Sequence, residues 1–209
     1  MRPAFDLRLY LVTDRAMCAR RGIERVVGEA VAGGVTLVQL RDDATPALEL
    51  VALARRLKQM LVQWRVPLIV NNRLAVALAA GADGAHVGQG DASPAEARAR
   101  LGGRALLGLS ITEPGQLARV DAASVDYLGV GPVFATATKA DAAPALGLAG
   151  LAACRAATSL PIVAIGGIDL GNAAAVIAAG ADGVAVVSSI CAAAAPEQAA
   201  RRLKDAVTA

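Results

Sequence analysis

The chain has 209 residues, of which 56% are hydrophobic and 2% aromatic, and its formal net charge is +3. This length suffices for one domain with a sizeable core, and the high apolar content excludes an intrinsically disordered chain. The small net charge and the scarcity of aromatic side chains argue against a nucleic-acid partner, which requires a concentrated basic surface or stacking platforms.

Charged residues interrupt each apolar stretch before it reaches the roughly 18 residues that a membrane helix requires, so a membrane partner is not expected. Asp6 and Arg8 occupy the region in which a signal peptide would carry its apolar segment. Cys18, Cys154 and Cys191 are widely spaced and form no CxxC motif, which argues against a disulfide framework and a zinc site. We therefore expect a cytoplasmic protein.

Taken in chain order, the sequence alternates apolar runs typical of buried strands with segments of helical periodicity. The strand-like runs lie near residues 8–13, 35–40, 67–70, 84–88, 105–110, 125–131, 161–165 and 183–187. The helical segments lie near residues 23–32, 46–63, 73–80, 94–101, 114–122, 147–157, 170–179 and 196–207. The strand-like runs are continuous rather than alternating, as expected for parallel strands covered by helices.

Eight strand–helix units in a chain of this length predict a single (β/α)8 barrel domain over residues 1–209. The alternative is a doubly wound open sheet, but that fold usually has fewer strands, and no GxGxxG motif follows the first one. An internal repeat supports regular units, since "AAGADGAHVGQ" at 79–89 returns as "AAGADGVAVVSS" at 178–189. In such a barrel, active residues lie at the carboxyl ends of the strands and in the loops that follow.

Polar side chains concentrate at these strand exits. They are Gln39, Arg41, Asn71, Asp91, Ser110, Thr136, Thr138, Lys139 and Ser188. Hydroxyls, ammonium and guanidinium groups bind oxyanions, and aspartate is a natural Mg²⁺ ligand. Gly166 and Gly167 fit the place where barrels bind phosphate through backbone amides, with a plain tight turn as the alternative. Together these residues predict a phosphorylated or diphosphate substrate with Mg²⁺, although each alone also fits a solvated loop or a helix cap.

Three other polar residues favour structural roles. His86 lies within the fourth strand-like run, and we interpret it as a hydrogen-bonded structural histidine. Asp83 and Asp182 occupy matching repeat positions just before strands, and we interpret both as turn residues.

Eight segments of the chain carry a resemblance to a known family. They are "LYLVTD", "VQLRDD", "LIVNNR", "GADGAHVGQGD", "GLSIT", "DYLGVGPVFATATK", "PIVAIGGI" and "GADGVAVVSSI". In this order, from about residue 9 to residue 190, they resemble the thiamine-phosphate synthase family. The resemblance implies a (β/α)8 barrel enzyme that joins a pyrimidine methyl diphosphate to a thiazole phosphate and releases diphosphate, using Mg²⁺. It also implies that the bond to diphosphate breaks toward a pyrimidine methyl cation, which the thiazole nitrogen captures.

The resemblance further implies roles for individual residues. It assigns to the pyrimidine diphosphate the residues Gln39, Arg41, Asn71, Ser110 and Lys139. Of these, we take Arg41, Ser110 and Lys139 as the catalytic residues. It assigns to the thiazole phosphate the residues Thr136, Thr138, Gly167, Val187 and Ser188. Asp91 is the implied ligand of Mg²⁺.

Two positions depart from the family pattern. Asp43 stands where the family usually has a lysine, and Asn72 stands where it usually has an aspartate that binds Mg²⁺. An amide oxygen can ligate Mg²⁺ but carries no charge, so Asn72 should bind the ion more weakly than an aspartate. We hypothesise that Asp43, at the neighbouring strand exit, partly replaces the missing carboxylate.

The sequence leaves two other functions open on the same barrel. One is a thiazole-phosphate tautomerase-like paralogue, against which the "TATK" and "GQGD" segments argue because it needs no diphosphate site. The other is a non-catalytic protein that binds thiazole phosphate or thiamine phosphate, supported only by the two departures. In each case the expected partners are small molecules, and a homo-oligomer stays open. Segment 140–149 fits either a lid over the site or a plain connection.

Overall fold

The structure is a computed structural model and describes residues 4–138 and 143–208. Eight parallel strands form a closed barrel in the order of the chain. They are β1 (Leu9–Val12), β2 (Leu37–Leu40), β3 (Leu68–Asn71), β4 (Gly84–Val87), β5 (Leu106–Ile111), β6 (Tyr127–Val130), β7 (Ile162–Ile165) and β8 (Gly183–Val186). The barrel closes because β8 pairs with β1, where Tyr10 lies opposite Ala185. The predicted (β/α)8 barrel is therefore confirmed, and the open sheet is excluded.

Helices surround the barrel between successive strands. They are α1 (Arg15–Cys18), α2 (Ile23–Ala32), α3 (Ala47–Val62), α4 (Leu74–Ala80), α5 (Pro94–Leu101), α6 (Gly147–Ala156), α7 (Ala173–Ala178), α8 (Ser188–Cys191) and α9 (Pro196–Thr208), with a 3₁₀ helix at Pro114–Arg119. The 3₁₀ helix occupies the segment predicted as helical at 114–122. The sequence does not predict α1 and α8, because four residues make barely one turn and cannot display helical periodicity.

Close contact between neighbouring strands explains the glycine of the repeated "GADG" segment. Gly84 begins β4 and Gly183 begins β8. A Cβ atom at Gly84 would lie 2.0 Å from the carbonyl oxygen of Leu106, and one at Gly183 would lie 1.8 Å from that of Leu7. Because both obstacles are backbone atoms, of β5 and of the segment that leads into β1, only glycine allows so close an approach at these two positions.

The strands are nearly fully buried, which matches their continuous apolar sequences. Every residue of β1, β2, β4, β6 and β8 is buried. In contrast, β3 and β7 each end on a partly exposed residue, Asn71 and Ile165. Within residues 4–138 and 143–208, no helix is both long enough and apolar enough to span a membrane.

Candidate active site

A cavity of about 710 Å³ opens at the carboxyl ends of the strands. Its volume falls in the usual range for small-molecule sites. The predicted site residues that the structure describes all line this cavity, namely Gln39, Arg41, Asp43, Asn71, Asn72, Asp91, Ser110, Thr136, Thr138, Gly167, Val187 and Ser188. Lys139 and residues 140–142 of the candidate lid lie outside the described residues. The barrel therefore brings distant parts of the sequence together, while the roles of these residues stay predictions.

The side of the cavity formed after β7 and β8 presents backbone amides. Gly166 and Gly167 follow β7 with φ values of +99° and +63°, and Ser188 begins α8 after Val187, the residue that follows β8. The amides of these three residues form no hydrogen bond with a described residue. Ser189 Oγ donates to the carbonyl oxygen of Ile168 at 2.7 Å, which ties the two loops together. Unpaired amides converging on a polar cavity are suited to bind an anion.

A close turn at Gly167 limits what can stand at this position. A Cβ atom there would lie 2.6 Å from the carbonyl oxygen of Ala135, and the positive φ already disfavours any other residue. Glycine therefore serves two purposes, because it allows the turn and leaves its amide open to the cavity.

The loop after β6 reaches across the cavity to β2. Thr138 donates its amide to Thr136 Oγ1 at 3.2 Å, and the two hydroxyl oxygens are also 3.2 Å apart. Arg41 Nη2 donates to the carbonyl oxygen of Thr138 at 3.1 Å and lies 3.5 Å from Asp14 Oδ2. The guanidinium of Arg41 thus connects the exits of β1, β2 and β6 and keeps a positive charge at the cavity.

Asn72 occupies the opposite side of the cavity, after β3. Its backbone has a φ of +44°, a conformation that asparagine tolerates better than most residues. Its Nδ2 donates to Asp43 Oδ1 at 3.4 Å. Its Oδ1 is buried and accepts no hydrogen bond from a described residue. A buried acceptor without a donor is costly, so this oxygen is suited to face a cation.

Two carboxylates accompany Asn72 along this side of the cavity. Asp43 contacts the Asn72 amide, and Asp91 Oδ2 accepts the amide of Gly88 at 2.7 Å. Within the described residues, no three His, Cys, Asp or Glu side chains cluster in a way that could hold a metal ion. A hard cation here would therefore depend on the Asn72 amide oxygen in addition to Asp43 and Asp91. Such an all-oxygen donor set fits Mg²⁺.

A chain of buried polar side chains forms the floor of the cavity. Gln39 Nε2 donates to the Tyr10 hydroxyl at 2.8 Å, and the Tyr10 and Tyr127 hydroxyls are 2.9 Å apart. The Tyr127 hydroxyl lies 3.2 Å from His86 Nδ1, and His86 Nε2 lies 2.9 Å from Ser110 Oγ. The chain therefore links Gln39 of β2 and Ser110 of β5, two predicted substrate-binding residues on non-adjacent strands.

Burial sets the protonation of this floor. Desolvation lowers the pKa of His86 to about 4, so the imidazole is neutral at physiological pH. Desolvation also raises the pKa of Tyr10 and of Tyr127, so both phenols keep their protons. The prediction that His86 is a hydrogen-bonded histidine is confirmed by its two ring contacts. The residue also lines the cavity, which that interpretation did not include.

The sequence interpretation overlooked Tyr10 among the residues that line the cavity. Tyr10 and Val12 are two positions apart in β1 and both line it. Alternation along a strand places such residues on one face, so this spacing was the available signal. It was hidden because "LYLV" reads as a uniformly apolar run.

The comparison with known proteins agrees with this geometry. A family model described as thiamine monophosphate synthase matches residues 9–190, which is most of the chain. The chain belongs to the thiamine monophosphate synthase family. Asp43 and Asn72, which were expected from the sequence to differ from the family pattern, line the cavity of this thiamine monophosphate synthase family member.

Individual relatives of this thiamine monophosphate synthase family member match over nearly their whole length. A thiamine-phosphate synthase of Xanthobacter autotrophicus is 57% identical, covering 98% of this chain and 97% of its own. One of Azorhizobium caulinodans is 51% identical, covering 96% and 94%. The solved structure of a thiamine phosphate pyrophosphorylase from Pyrococcus furiosus superposes with a TM-score of 0.88 at 32% identity, covering 97% of this chain and 96% of that one.

Proposed function

We propose that this chain synthesises thiamine phosphate by joining 4-amino-2-methyl-5-pyrimidinylmethyl diphosphate to a thiazole phosphate, with release of diphosphate. The observation that carries the proposal is the arrangement of one cavity with two anion-binding sides. Open amides of Gly166, Gly167 and Ser188 lie on one side, and Arg41 with the candidate cation site lies on the other. A reaction that joins two phosphorylated molecules needs such a pair of sites facing one floor.

On the β7–β8 side, the thiazole phosphate is held by Gly167, Val187 and Ser188. The amides of this region supply fixed donors to the phosphate oxygens without a net charge. Thr136 and Thr138 add hydroxyl donors from the loop after β6. This side therefore binds and orients the second substrate and takes no covalent part in the reaction.

On the β2–β5 side, the pyrimidine diphosphate is held by Gln39, Arg41, Asn71 and Ser110. Gln39 and Ser110 flank the buried floor, so they face the aromatic ring of the substrate. Arg41 faces the diphosphate, and Lys139 follows the loop of Thr136 and Thr138 in sequence and adds a second cation. Breaking the Arg41 contact with the Thr138 carbonyl frees a further guanidinium donor for a phosphate oxygen.

The reaction requires charge stabilisation more than it requires a nucleophile from the protein. The bond between the pyrimidine methylene carbon and the diphosphate oxygen breaks, and its electron pair leaves with diphosphate. Arg41 stabilises the charge that develops on the leaving oxygen. The thiazole nitrogen then donates its lone pair to the methylene carbon and forms the new C–N bond. The cavity supplies orientation, since both reactants are held over one floor.

Asp43, Asn72 and Asp91 would hold Mg²⁺ beside the diphosphate. The buried Asn72 Oδ1, which accepts no hydrogen bond from a described residue, supports this assignment. Bound Mg²⁺ would supply positive charge that makes diphosphate a better leaving group. Asp43 contributes the carboxylate that position 72 lacks.

Incubation of the purified protein with both substrates, across a wide range of Mg²⁺ concentrations, tests the proposal. We expect thiamine phosphate and diphosphate in equal amounts, and no product when either substrate is left out. Absence of product at every Mg²⁺ concentration would refute the proposed reaction. If the protein then still bound thiazole phosphate, a non-catalytic phosphate-binding barrel would be the better interpretation.

A further inference from the structure

The buried floor of the cavity contains five side chains joined end to end by hydrogen bonds, and we call it the Gln39–Ser110 chain. From one end to the other its members are Gln39, Tyr10, Tyr127, His86 and Ser110, which come from β2, β1, β6, β4 and β5. The first four are at most 7% exposed. Both ends line the cavity, as do Tyr10 and His86, whereas Tyr127 lies behind them and is fully buried. The donor and acceptor roles at one end of the chain therefore constrain those at the other end.

Counting donors gives the chain a direction. Gln39 Nε2 donates to the Tyr10 hydroxyl, and a phenol has a single proton of its own. Tyr10 must then donate to Tyr127, because its buried proton has no other partner among the described residues. By the same argument Tyr127 donates to His86 Nδ1. Reversing one bond alone would leave a buried donor unpaired, which is costly.

The direction of the chain determines the tautomer of His86. Because Nδ1 accepts from Tyr127, a neutral imidazole must carry its proton on Nε2. Nε2 then donates to Ser110 Oγ. The Ser110 hydroxyl proton is not used within the chain and can point into the cavity. At the other end, the Gln39 side-chain nitrogen donates to Tyr10 within the chain, so Gln39 Oε1 stays available as an acceptor for a ligand.

Two glycines on the neighbouring strands determine the position of the His86 ring. A Cβ atom at Gly108 would lie 2.3 Å from His86 Nδ1, and one at Gly129 would lie 2.9 Å from His86 Cε1. Glycines on β5 and β6 therefore make the space that the ring occupies. The ring cannot turn freely in this space, so the chain has one geometry rather than several.

We propose that the Gln39–Ser110 chain runs in one direction and thereby fixes the hydrogen-bonding polarity of the cavity, presenting an acceptor at Gln39 and a donor at Ser110. Tyr10, Tyr127 and His86 are positioning residues in this scheme, since they act through the two ends. The matching ligand edge has an amino donor and a ring-nitrogen acceptor, as an aminopyrimidine has. A 4-oxo pyrimidine carries an acceptor oxygen in place of the amino group. That oxygen would face the Gln39 acceptor and could not form a hydrogen bond with it. This last step rests on the proposed function.

The direction of the chain can be measured without any substrate, because His86 is the only histidine in the sequence. We would label histidine with ¹⁵N and record long-range ¹H–¹⁵N spectra of the full-length protein at neutral pH. The expected result is one imidazole with its proton on Nε2 and an unprotonated Nδ1. A proton on Nδ1, or rapid averaging between the two tautomers, would overturn the proposal.

A pair of variants separates the chain from simple packing. Tyr127→Phe removes the donor to Nδ1, so we expect the single Nε2–H tautomer to give way to a mixture. Phe5→Leu is the matched control, because Phe5 packs against the same Tyr127 ring, 6.0 Å between centroids, and contributes no hydrogen bond to the chain. The control should keep the wild-type tautomer. If both variants keep it, or both lose it, the direction is not set by Tyr127.

The recognition step is tested by binding rather than by turnover. Calorimetry with the aminopyrimidine methyl diphosphate and with its 4-oxo analogue gives a ratio of affinities for each protein. We expect the wild type to prefer the amino compound and Tyr127→Phe to reduce that preference roughly tenfold, as the loss of one well-oriented hydrogen bond predicts. An unchanged ratio would overturn the recognition step. A protein with the Nε2–H tautomer and this preference but no product would instead refute the proposed reaction and leave the chain intact.

Discussion

Asn72 is the cavity residue whose conformation and contacts bear most directly on the candidate cation site. Its left-handed backbone turns the chain after β3, its Nδ2 contacts Asp43, and its buried Oδ1 accepts nothing from the described residues. The sequence pattern singled out positions 43 and 72, but it did not predict that the two side chains touch. This contact depends on the pairing of β2 with β3 and on the conformation of the loops that follow them, which a local pattern does not specify.

Asn72→Asp should strengthen Mg²⁺ binding roughly tenfold, because it adds a carboxylate to the candidate cation site. The new carboxylate would stand beside Asp43, so we also expect the variant to unfold at a lower temperature without Mg²⁺ and to recover when Mg²⁺ is added. Calorimetric Mg²⁺ titration and thermal unfolding would measure the two effects. Equal Mg²⁺ affinity in variant and wild type would show that Oδ1 does not face the ion.

Asp43→Ala should weaken Mg²⁺ binding roughly tenfold, since it removes the carboxylate that compensates for Asn72. The matched control is Asp205→Ala, which removes an exposed carboxylate of α9 far from the cavity and should leave Mg²⁺ affinity unchanged. The same Mg²⁺ titration applies to both variants. If Asp43→Ala binds Mg²⁺ as the wild type does, the compensation hypothesis fails.

At the scale of elements, the residue directly before each even-numbered strand binds the start of the preceding strand through a side-chain hydrogen bond. Each of these side chains accepts a backbone amide from that neighbour, at 3.1 Å or less. The pairs are Thr36 with Leu9, Asp83 with Leu68, Asp126 with Leu107, and Asp182 with Ile162. The three aspartates also bind a cation from a surrounding helix: Lys58, Arg98 and Arg155.

The interpretation of Asp83 and Asp182 as turn residues therefore captured their position but not their bonds. Turn chemistry is local and visible in "GAD", whereas the amide partner comes from another strand and the cation from a helix. Helix bounds show the same limit. Ser93 and Pro94 start α5 where the sequence predicts it, since capping is local. The 3₁₀ form at Pro114–Arg119 and the short helices α1 and α8 depend on the loops packed around them.

Asp126→Asn should destabilise the protein by about 2 kcal/mol, because it leaves the largely buried guanidinium of Arg98 without its charged partner. Urea unfolding would report the change as a lower midpoint at an unchanged slope. Asp205→Asn is the control for loss of one negative charge and should shift the free energy of unfolding by less than about 0.5 kcal/mol. An Asp126→Asn midpoint equal to that of the wild type would contradict this assignment.

At the scale of the molecule, closure of the barrel turns eight separate strand exits into one cavity. Arg41 and Thr138 are far apart in sequence and share a hydrogen bond at its mouth. The sequence could predict which residues stand at the exits, because parallel strands covered by helices leave a clear pattern. It could not predict the Gln39–Ser110 chain, since Tyr10 and Tyr127 look like ordinary core residues until the strands are placed side by side.

The two-sided cavity is the feature on which the proposed reaction depends, and it predicts that the two substrates are held by different residues. Arg41→Gln should raise the KM for the pyrimidine diphosphate and lower kcat, because it removes a charge that faces the leaving group. Ser188→Ala should raise the KM for the thiazole phosphate roughly tenfold, because it removes one donor to that phosphate.

Steady-state kinetics with both substrates varied, for the wild type, Arg41→Gln and Ser188→Ala, tests this division most directly. We expect each variant to change the KM of its own substrate and to leave the KM of the other within about twofold of the wild type. If both variants raised both KM values equally, or if Ser188→Ala affected only the pyrimidine diphosphate, the two substrates would not occupy opposite sides of the cavity.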